Sequence, residues 1–421
     1  MLTTENAMIR AETIISRCKK LASLSEDQGS TRRTFLSAPM HECHEEIGRW
    51  LRAVGAVVTV DAAGNLHGFY PGNFEHAPRL LVGSHLDTVP NAGAYDGALG
   101  VAIAIALIEA LEGRRLPYGI EVVGFSEEEG VRFGVPCIGS RALVGRLDEE
   151  LQNRLDANGV SVRAAIERFG QNPEELDRAA LGDDTLAFLE FHIEQGPVLE
   201  SLGLPLGAVD SIAAQTRIEL VFLGRTNHAG TTPMHLRRDA VAGAAEWIAE
   251  VESTANGHPG LVATVGQMEA KPGAINVIAG EARVTLDVRH PEDEICFRSA
   301  EMLRRRAEEI ARRRGLTVRQ SVLLDQKTVK MNEFLVLEIE EAIRKAGCEP
   351  HRLSSGAGHD AMILAEKLPT AMIFLRSPGG ISHDPAESVL VEDVAKALEC
   401  GLQLLDQLAN TTDLGKRMAR A

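Results

Sequence analysis

The sequence lacks any uninterrupted apolar run near the length of about 18 residues that a membrane-spanning helix needs. Its opening stretch, MLTTENAMIRAETIISRCKK, scatters charges through an amphipathic pattern and has no apolar signal core followed by a small-residue cleavage site. No membrane attachment is expected, and the expected compartment is the cytoplasm. Closely spaced cysteines are missing too: Cys18, Cys43, Cys137, Cys296, Cys348 and Cys400 are far apart and form no C-x-x-C, so neither a disulfide framework nor a thiolate zinc site is indicated. They are expected to be reduced packing residues. Positive charge is in deficit, with 44 Lys and Arg against 60 Asp and Glu and a formal net charge of -16. That balance opposes phosphate backbones, and nucleic acid is not an expected partner. The basic clusters Arg304-Arg305-Arg306 and Arg312-Arg313-Arg314 sit in a Glu-containing helical pattern and read as a solvated face. Internal repeats and low-complexity segments are lacking as well.

What is present is an ordinary globular composition, 44% hydrophobic and 25% charged, in a chain of 421 residues. That length exceeds the size at which a single core stops growing, which favours two domains or one domain carrying an insertion. Up to about residue 205, apolar strand-like runs alternate with helical patterns, the arrangement of a mostly parallel sheet covered by helices. Leu80–His85, Ile120–Phe125 and Ala187–His192 are expected strands, and Ala98–Leu111 is an expected helix with few polar positions. Between about 210 and 325 the order becomes a strand pair (Ser211–Phe222), a helix (Asp239–Glu252), two strands (Leu261–Gln267, Ala282–Arg289), a long helix (Glu292–Arg314) and a last strand (Thr317–Leu324). This β-α-β-β-α-β order is ferredoxin-like and able to form an insertion. Helix Glu333–Lys345, strand Thr370–Leu375 and helix Val391–Leu408 then return to the first pattern. The expected fold is α/β: a mixed, mostly parallel sheet flanked by helices (1–209 and 326–421), with an inserted ferredoxin-like α+β domain (210–325).

Metal-type ligands stand at the strand ends, where open α/β sheets build their sites. In G83-S-H-L-D87, alternation directs His85 and Asp87 to the same side, so the aspartate can accept the second imidazole N–H. Asp96, in A94-Y-D-G-A98, lies one turn's reach from that strand end. The run Glu127-Glu128-Glu129 comes directly after an apolar strand; neighbours in extended chain point apart, so Glu128 and Glu129 can divide metal binding from proton transfer to water. His192 closes the run A187-F-L-E-F191, and His383 lies in a Gly/Pro-containing loop. Singly, each has a commoner structural reading: a histidine beside a capping aspartate, an N-cap, a solvated acidic patch, a strand-end or turn histidine. Together, two carboxylates and three imidazoles make a complement for two divalent cations sharing a bridging carboxylate.

The ordered set GSHLDTV, AYDGALG, EEEGVRF, HIEQGPVLE, NHAGTTPM, INVI, DVR, SGAGHDA and GISHDPAE runs through nearly the whole chain. It resembles the dinuclear-metal amidohydrolases that include allantoate amidohydrolase, N-carbamoyl-L-amino acid hydrolase and β-ureidopropionase, which share a fold with co-catalytic zinc peptidases. The resemblance implies that Asp96 bridges two metals (Zn, Mn or Co), with His85 and His192 on one and Glu129 and His383 on the other. It further implies Glu128 as general base, Asp87 as the partner of His85, and no catalytic role for Glu127. An imidazole at 192 marks the amidase branch, since peptidase relatives use a carboxylate there; Gln195 would donate to substrate. The inserted domain would form a homodimer in which His228 reaches the partner's active site as an oxyanion donor. Asn276 and Arg289 would hold a substrate carboxylate, and Gly358 would contact substrate through its main chain. The implied substrate is a ureido acid, allantoate first, with N-carbamoyl-L-amino acids or 3-ureidopropionate as alternatives and a dinuclear zinc peptidase as a more distant one. R33-T-F-L-S37, V131–S140 and G203–R217 are most similar to allantoate amidohydrolases.

Overall fold

The computed structural model describes residues 3–418. Contacts divide the chain into two compact units, one running to Asp210 and resuming at Lys330, the other spanning Ser211–Val329.

The first unit is a mixed sheet with helices against it. Its strands lie in the order Val57–Val60, Leu66–Tyr70, Gly119–Phe125, Arg79–His85, Thr185–Ile193, Thr370–Leu375, Leu206–Ile212. The four in the middle, Gly119–Phe125 through Thr370–Leu375, are mutually parallel, and the pairings outside them are antiparallel. Central parallel strands are covered on both faces, which is why Gly119–Phe125 and Thr370–Leu375 are buried along their whole length and read as continuous apolar runs. Helix Ala98–Ala110 is buried from Ala98 to Ile108, packed between the sheet and the helices Thr4–Ala22 and Val391–Ala409. A helix apolar on every side needs such a position. Helix Thr4–Ala22 instead buries one stripe, Ala7, Ala11, Ile14, Cys18 and Leu21, and starts at Thr3, whose hydroxyl accepts the Asn6 N–H. Among the described residues no helix is long and apolar enough to cross a membrane.

In the second unit, strand Glu281–His290 alternates buried and half-exposed residues throughout, with Ala282, Val284, Leu286 and Val288 pointing into the core. Helices Ala240–Asn256 and Asp293–Arg313 supply the rest of that core, and Trp247 donates its indole N–H to the Leu303 carbonyl at 2.8 Å. The order Thr317–Gln326, Ala214–Leu223, Glu281–His290, then Met268–Lys271 and Val262–Thr264, all antiparallel, is ferredoxin-like. Two boundaries differ from expectation. Ser211–Phe222 is not a pair: Ser211 and Ile212 end a strand of the first unit's sheet, and Ala214–Leu223 is one strand. Leu261–Gln267 shortens to Val262–Thr264, and a separate strand follows at Met268–Lys271. Apolar alternation cannot register a break that preserves it.

A buried ionic cluster ties the sheet edge to its centre. His67 contacts Glu121 (2.8 Å) and Asp61 (3.2 Å), and Arg79 contacts Glu121 (3.1 Å). Burial opposes the His67 charge, but Asp61 and Glu121 outweigh it and lift the pKa from 6.5 to about 10. The charged form is favoured by folding, so this stabilisation is complete below pH 6.5 and is lost as pH rises towards 10. We therefore expect the melting-temperature gap between wild type and His67→Gln to be widest at about pH 6 and to close towards pH 10. A gap constant across that window refutes the linkage.

Candidate active site

Three of the central parallel strands end at one edge, and each carries a ligand-type side chain there: His85, the Ser126–Glu129 turn, and His192. Asp96 joins them through the turn before helix Ala98–Ala110. That turn needs glycine at 97, where φ is +65° and a Cβ would lie 2.6 Å from the His85 ring.

The two imidazoles present lone pairs rather than protons to the centre. His85 Nδ1 lies 3.0 Å from the Asp87 carbonyl and His192 Nδ1 2.9 Å from the Ile193 carbonyl. A carbonyl only accepts, so Nδ1 carries the hydrogen in each ring and Nε2 is the bare nitrogen. The two Nε2 atoms face each other at 3.4 Å, and Asp96 Oδ1 lies 3.2 Å from one and 3.5 Å from the other with no donor aligned on it. Three acceptors pointed at one another are stable only around a cation or shared protons. His85 and His192 are accordingly pushed up and Asp96 down: burial opposes each charge, and the histidine–aspartate contacts outweigh it.

Asp96 has a second side. Oδ2 lies 3.2 Å from His383 Nε2, and His383 Nε2 lies 3.6 Å from Glu129 Oε1. The ligand atoms of His85, Asp96 and His192 fall within 4.8 Å of one another, as do those of Asp96, Glu129 and His383. Imidazole nitrogen and carboxylate oxygen suit divalent zinc, manganese or cobalt. The charge count agrees, since burial first and then Asp96 raise Glu129 to about 7, and burial with the neighbouring Glu129, Asp360 and Asp87 raises Glu128. A cation between such groups relieves that repulsion.

Asp87 and Gln195 each hold neighbours that the sequence did not indicate. Asp87 lies beside His85 Nδ1 with its main-chain carbonyl at 3.0 Å and its carboxylate at 3.5 Å, and that carboxylate also accepts the N–H groups of Glu128 (2.8 Å) and Glu129 (3.0 Å). It therefore holds the glutamate turn in place. Gln195 is engaged within the protein. Its amide N–H groups are spent on Asp96 Oδ2 (3.0 Å) and Ser382 Oγ (3.2 Å).

In the second unit, His228 and Asn276 come together. Asn227–His228 pairs with Val277–Ile278, and the Ala229 N–H bonds the Asn276 carbonyl at 2.9 Å. His228 Nδ1 accepts the Gly230 N–H (3.0 Å), which leaves Nε2–H as an exposed donor. Arg289, expected to grip a substrate carboxylate, holds Asp287 with two bonds of 2.9 Å. The protein leaves open space at Gly358, where a Cβ would meet nothing nearer than Met362 Cε at 4.0 Å.

The sequence profile of Peptidase family M20/M25/M40 matches residues 81–407. The chain belongs to the M20 peptidase family. Its relatives in this family include an N-carbamoyl-L-amino acid amidohydrolase of Geobacillus stearothermophilus, 38% identical over 406 residues, or 96% of this chain and 99% of that one. A probable allantoate deiminase of Oryza sativa subsp. japonica is 35% identical over 443 residues, 96% of this chain and 89% of that one. A crystal structure of a hydantoinase/carbamoylase family amidase from Burkholderia multivorans superposes with a TM-score of 0.89 at 31% identity, covering 95% and 98% of the two chains. Within M20 the chain is thus a hydrolase acting on C–N bonds other than peptide bonds. The family is metal-dependent, in keeping with the ligand groups above.

Residues that motif reading passed over also build this M20 site. Glu190 accepts from Ser84 Oγ (2.7 Å) and the Ala361 N–H (3.1 Å), and His359 meets the His192 ring edge-on with centroids 4.5 Å apart. A charged residue inside the apolar run A187-F-L-E-F191 was the available signal for Glu190. The more telling omission is Glu387. Its Oε1 accepts the main-chain N–H groups of Tyr95 (2.8 Å) and Asp96 (3.1 Å), and its Oε2 lies 3.3 Å from Ser382 Oγ. One buried carboxylate thus ties the His383 loop to the Asp96 turn, and Gly93 leaves it room, since a Cβ there would fall 2.4 Å from the glutamate. Groups that only orient ligands are worth about 10- to 100-fold in metal affinity. Glu387→Ala is expected to weaken metal binding by that factor in competition with a fluorescent chelator, with Glu387→Gln, which keeps the acceptor oxygen, close to wild type. Equal affinity in wild type and the alanine variant removes the positioning role.

Proposed function

We propose that the chain hydrolyses the ureido C–N bond of a carboxylate-bearing ureide, with allantoate as substrate, releasing ammonia and a carbamate that decays to carbon dioxide and an amine. The observation supporting this is the convergence of His85, His192, His383 and Glu129 on the two oxygens of Asp96, with Glu128 alongside. His85, His192 and Asp96 would hold one divalent cation, and Asp96, Glu129 and His383 a second. Cations held there supply Lewis acidity towards a carbonyl oxygen and acidify water. Glu128 takes the proton of the attacking water and returns it to the departing nitrogen, which leaves as ammonia.

His228 of the partner subunit would donate Nε2–H to the oxyanion of the tetrahedral intermediate. In support of a homodimer through the second unit, Met234, Leu236 and Ile275 around the His228 loop are exposed apolar side chains. Asn276 and Arg289 on the substrate carboxylate, and Gly358 through its main chain, are proposed from the resemblance alone, with Asp287 a standing competitor for Arg289.

Allantoate is favoured by the three stretches most similar to allantoate amidohydrolases, R33–S37, V131–S140 and G203–R217. The N-carbamoyl-L-amino acid reading draws on the 38% identical relative. Ammonia release from allantoate, N-carbamoyl-L-methionine and 3-ureidopropionate, run side by side with Zn, Mn and Co, tests both. We expect the highest kcat/KM on allantoate; a higher value on N-carbamoyl-L-methionine transfers the proposal to that substrate, and turnover of dipeptides alone ends it.

A further inference from the structure

Asp87 grips the glutamate turn from one side, and a second side chain grips it from the other. Asn65 lies in the turn between the strands Val57–Val60 and Leu66–Tyr70 and is fully buried. Strand Gly119–Phe125 runs between Leu66–Tyr70 and Arg79–His85 in the sheet, antiparallel to the first and parallel to the second. Its continuation, Ser126–Glu129, is therefore flanked by Asn65 just before one neighbouring strand and by Asp87 just after the other. Asn65 Oδ1 accepts the N–H of buried Ser126 at 3.1 Å, while Asp87 takes those of Glu128 and Glu129.

The amide at 65 has only one workable orientation. Nδ2 donates to Asp61 Oδ2 (2.7 Å) and to the Gly139 carbonyl (3.1 Å), and Oδ1 faces the Ser126 N–H, so reversing the amide would set like against like at all three contacts. Asp61 is anchored in turn: its Oδ1 accepts the N–H groups of Ala63 and Asn65, both at 2.9 Å, and its Oδ2 contacts His67. The ionic cluster at the sheet edge thus continues through Asp61 and Asn65 to the main chain of the glutamate turn. Helix Ile138–Leu143 leaves room for the amide, since a Cβ on Gly139 would fall 2.2 Å from Asn65 Oδ1. A buried amide with its bonds made holds its neighbours to one geometry, because any shift leaves polar groups unpaired away from water.

We propose that Asn65 is a positioning residue for Glu128 and Glu129. It fixes the point at which the main chain leaves the strand, and from there Asp87 sets the next residues, so the two together decide where the carboxylates stand. This rests on the roles given above to Glu128 and Glu129. The bonds of Asn65 to the turn go to Ser126, not to either glutamate side chain. Its loss should therefore misplace the base and the ligand without removing a substrate contact: kcat falls and KM holds.

The test follows variants of the full chain by kcat and KM on the ureide that the wild type hydrolyses fastest, by zinc affinity in competition with a fluorescent chelator, and by thermal melting. Asn65→Leu keeps the volume and loses the bonds; kcat and zinc affinity should each fall about 10- to 100-fold, the usual worth of a group that orients a ligand, with KM unchanged. Gly139→Ala pushes Oδ1 away from Ser126 and should move both in the same direction, which keeps the proposal testable where Asn65→Leu fails to fold. Two controls lower stability in other ways. Asn65→Asp retains an acceptor for the Ser126 N–H but sets a carboxylate against Asp61, and Tyr118→Phe removes a buried bond to the Leu405 carbonyl (2.7 Å) beside the start of the same strand. Both should melt earlier with kcat and zinc affinity close to wild type. Losses that simply follow melting temperature across all the variants overturn the proposal, as does wild-type kcat and affinity in Asn65→Leu. If the wild type releases ammonia from no ureide, the functional reading fails, and zinc affinity in the same variants still decides the role of Asn65.

Discussion

Glu128→Gln is expected to lower the rate of ammonia release by about 10²- to 10⁴-fold, the contribution of a positioned general base, without changing the metal content of the protein. Glutamine has the same shape and keeps the main-chain N–H that bonds Asp87 Oδ1 at 2.8 Å, so the turn is preserved. What it lacks is the ability to take a proton from water. The carboxylate it replaces is buried, and burial together with Glu129, Asp360 and Asp87 raises its proton affinity, countered by His85. A base that must later release its proton to a leaving nitrogen works best in such surroundings. Elemental analysis alongside the ammonia assay separates the outcomes. Full activity in the glutamine variant refutes the base assignment; lost metal in an inactive variant would instead make Glu128 a ligand.

Asp96→Asn is expected to have the largest effect on metal content. Asp96 lies within 3.5 Å of three imidazoles, and its two oxygens face different histidines, Oδ1 towards His85 and His192 and Oδ2 towards His383. Asparagine removes the charge and turns an N–H towards one of these lone-pair clusters. Removing a group that merely orients a ligand already costs about 10- to 100-fold in affinity, so loss of a shared ligand should exceed about 100-fold and take the activity with it. Metal-to-protein ratios after dialysis measure this directly. Thermal melting guards against misreading, because Gln195 and the Glu387-held turn still contain the residue. A variant retaining the wild-type ratio would show that Asp96 is not shared, and the two-cation reading would fall with it.

The strand-end positions of His85, Glu128, Glu129 and His192 were legible because each stands at the end of an apolar run whose length and flanks mark a buried parallel strand. Parallel strands bring their C-terminal residues to one edge of the sheet. The inserted unit was legible from the change in element order. Gln195 and Arg289 show the limit. Their side-chain types suit a substrate, but no local pattern shows the neighbours that they hold: Gln195 bonds Asp96 and Ser382, and Arg289 bonds Asp287 two residues back on the same strand face. Glu387 was missed for the complementary reason. It acts on main-chain N–H groups 291 and 292 residues away, which leave no trace in its own surroundings.

By itself, the sequence determined the donor types at the site, the strands that carry most of them, and the two-part α/β organisation, because side-chain chemistry and hydrophobic period are local properties. Only the tertiary structure decided which oxygen of Asp96 faces which imidazole, which ring nitrogens are bare, and which polar groups are already taken. Those outcomes depend on left-handed backbone at Gly97, Gln195 and His383 and on contacts between segments hundreds of residues apart. Such contacts are selected by burial and hydrogen bonding over the whole fold, and no local pattern encodes them.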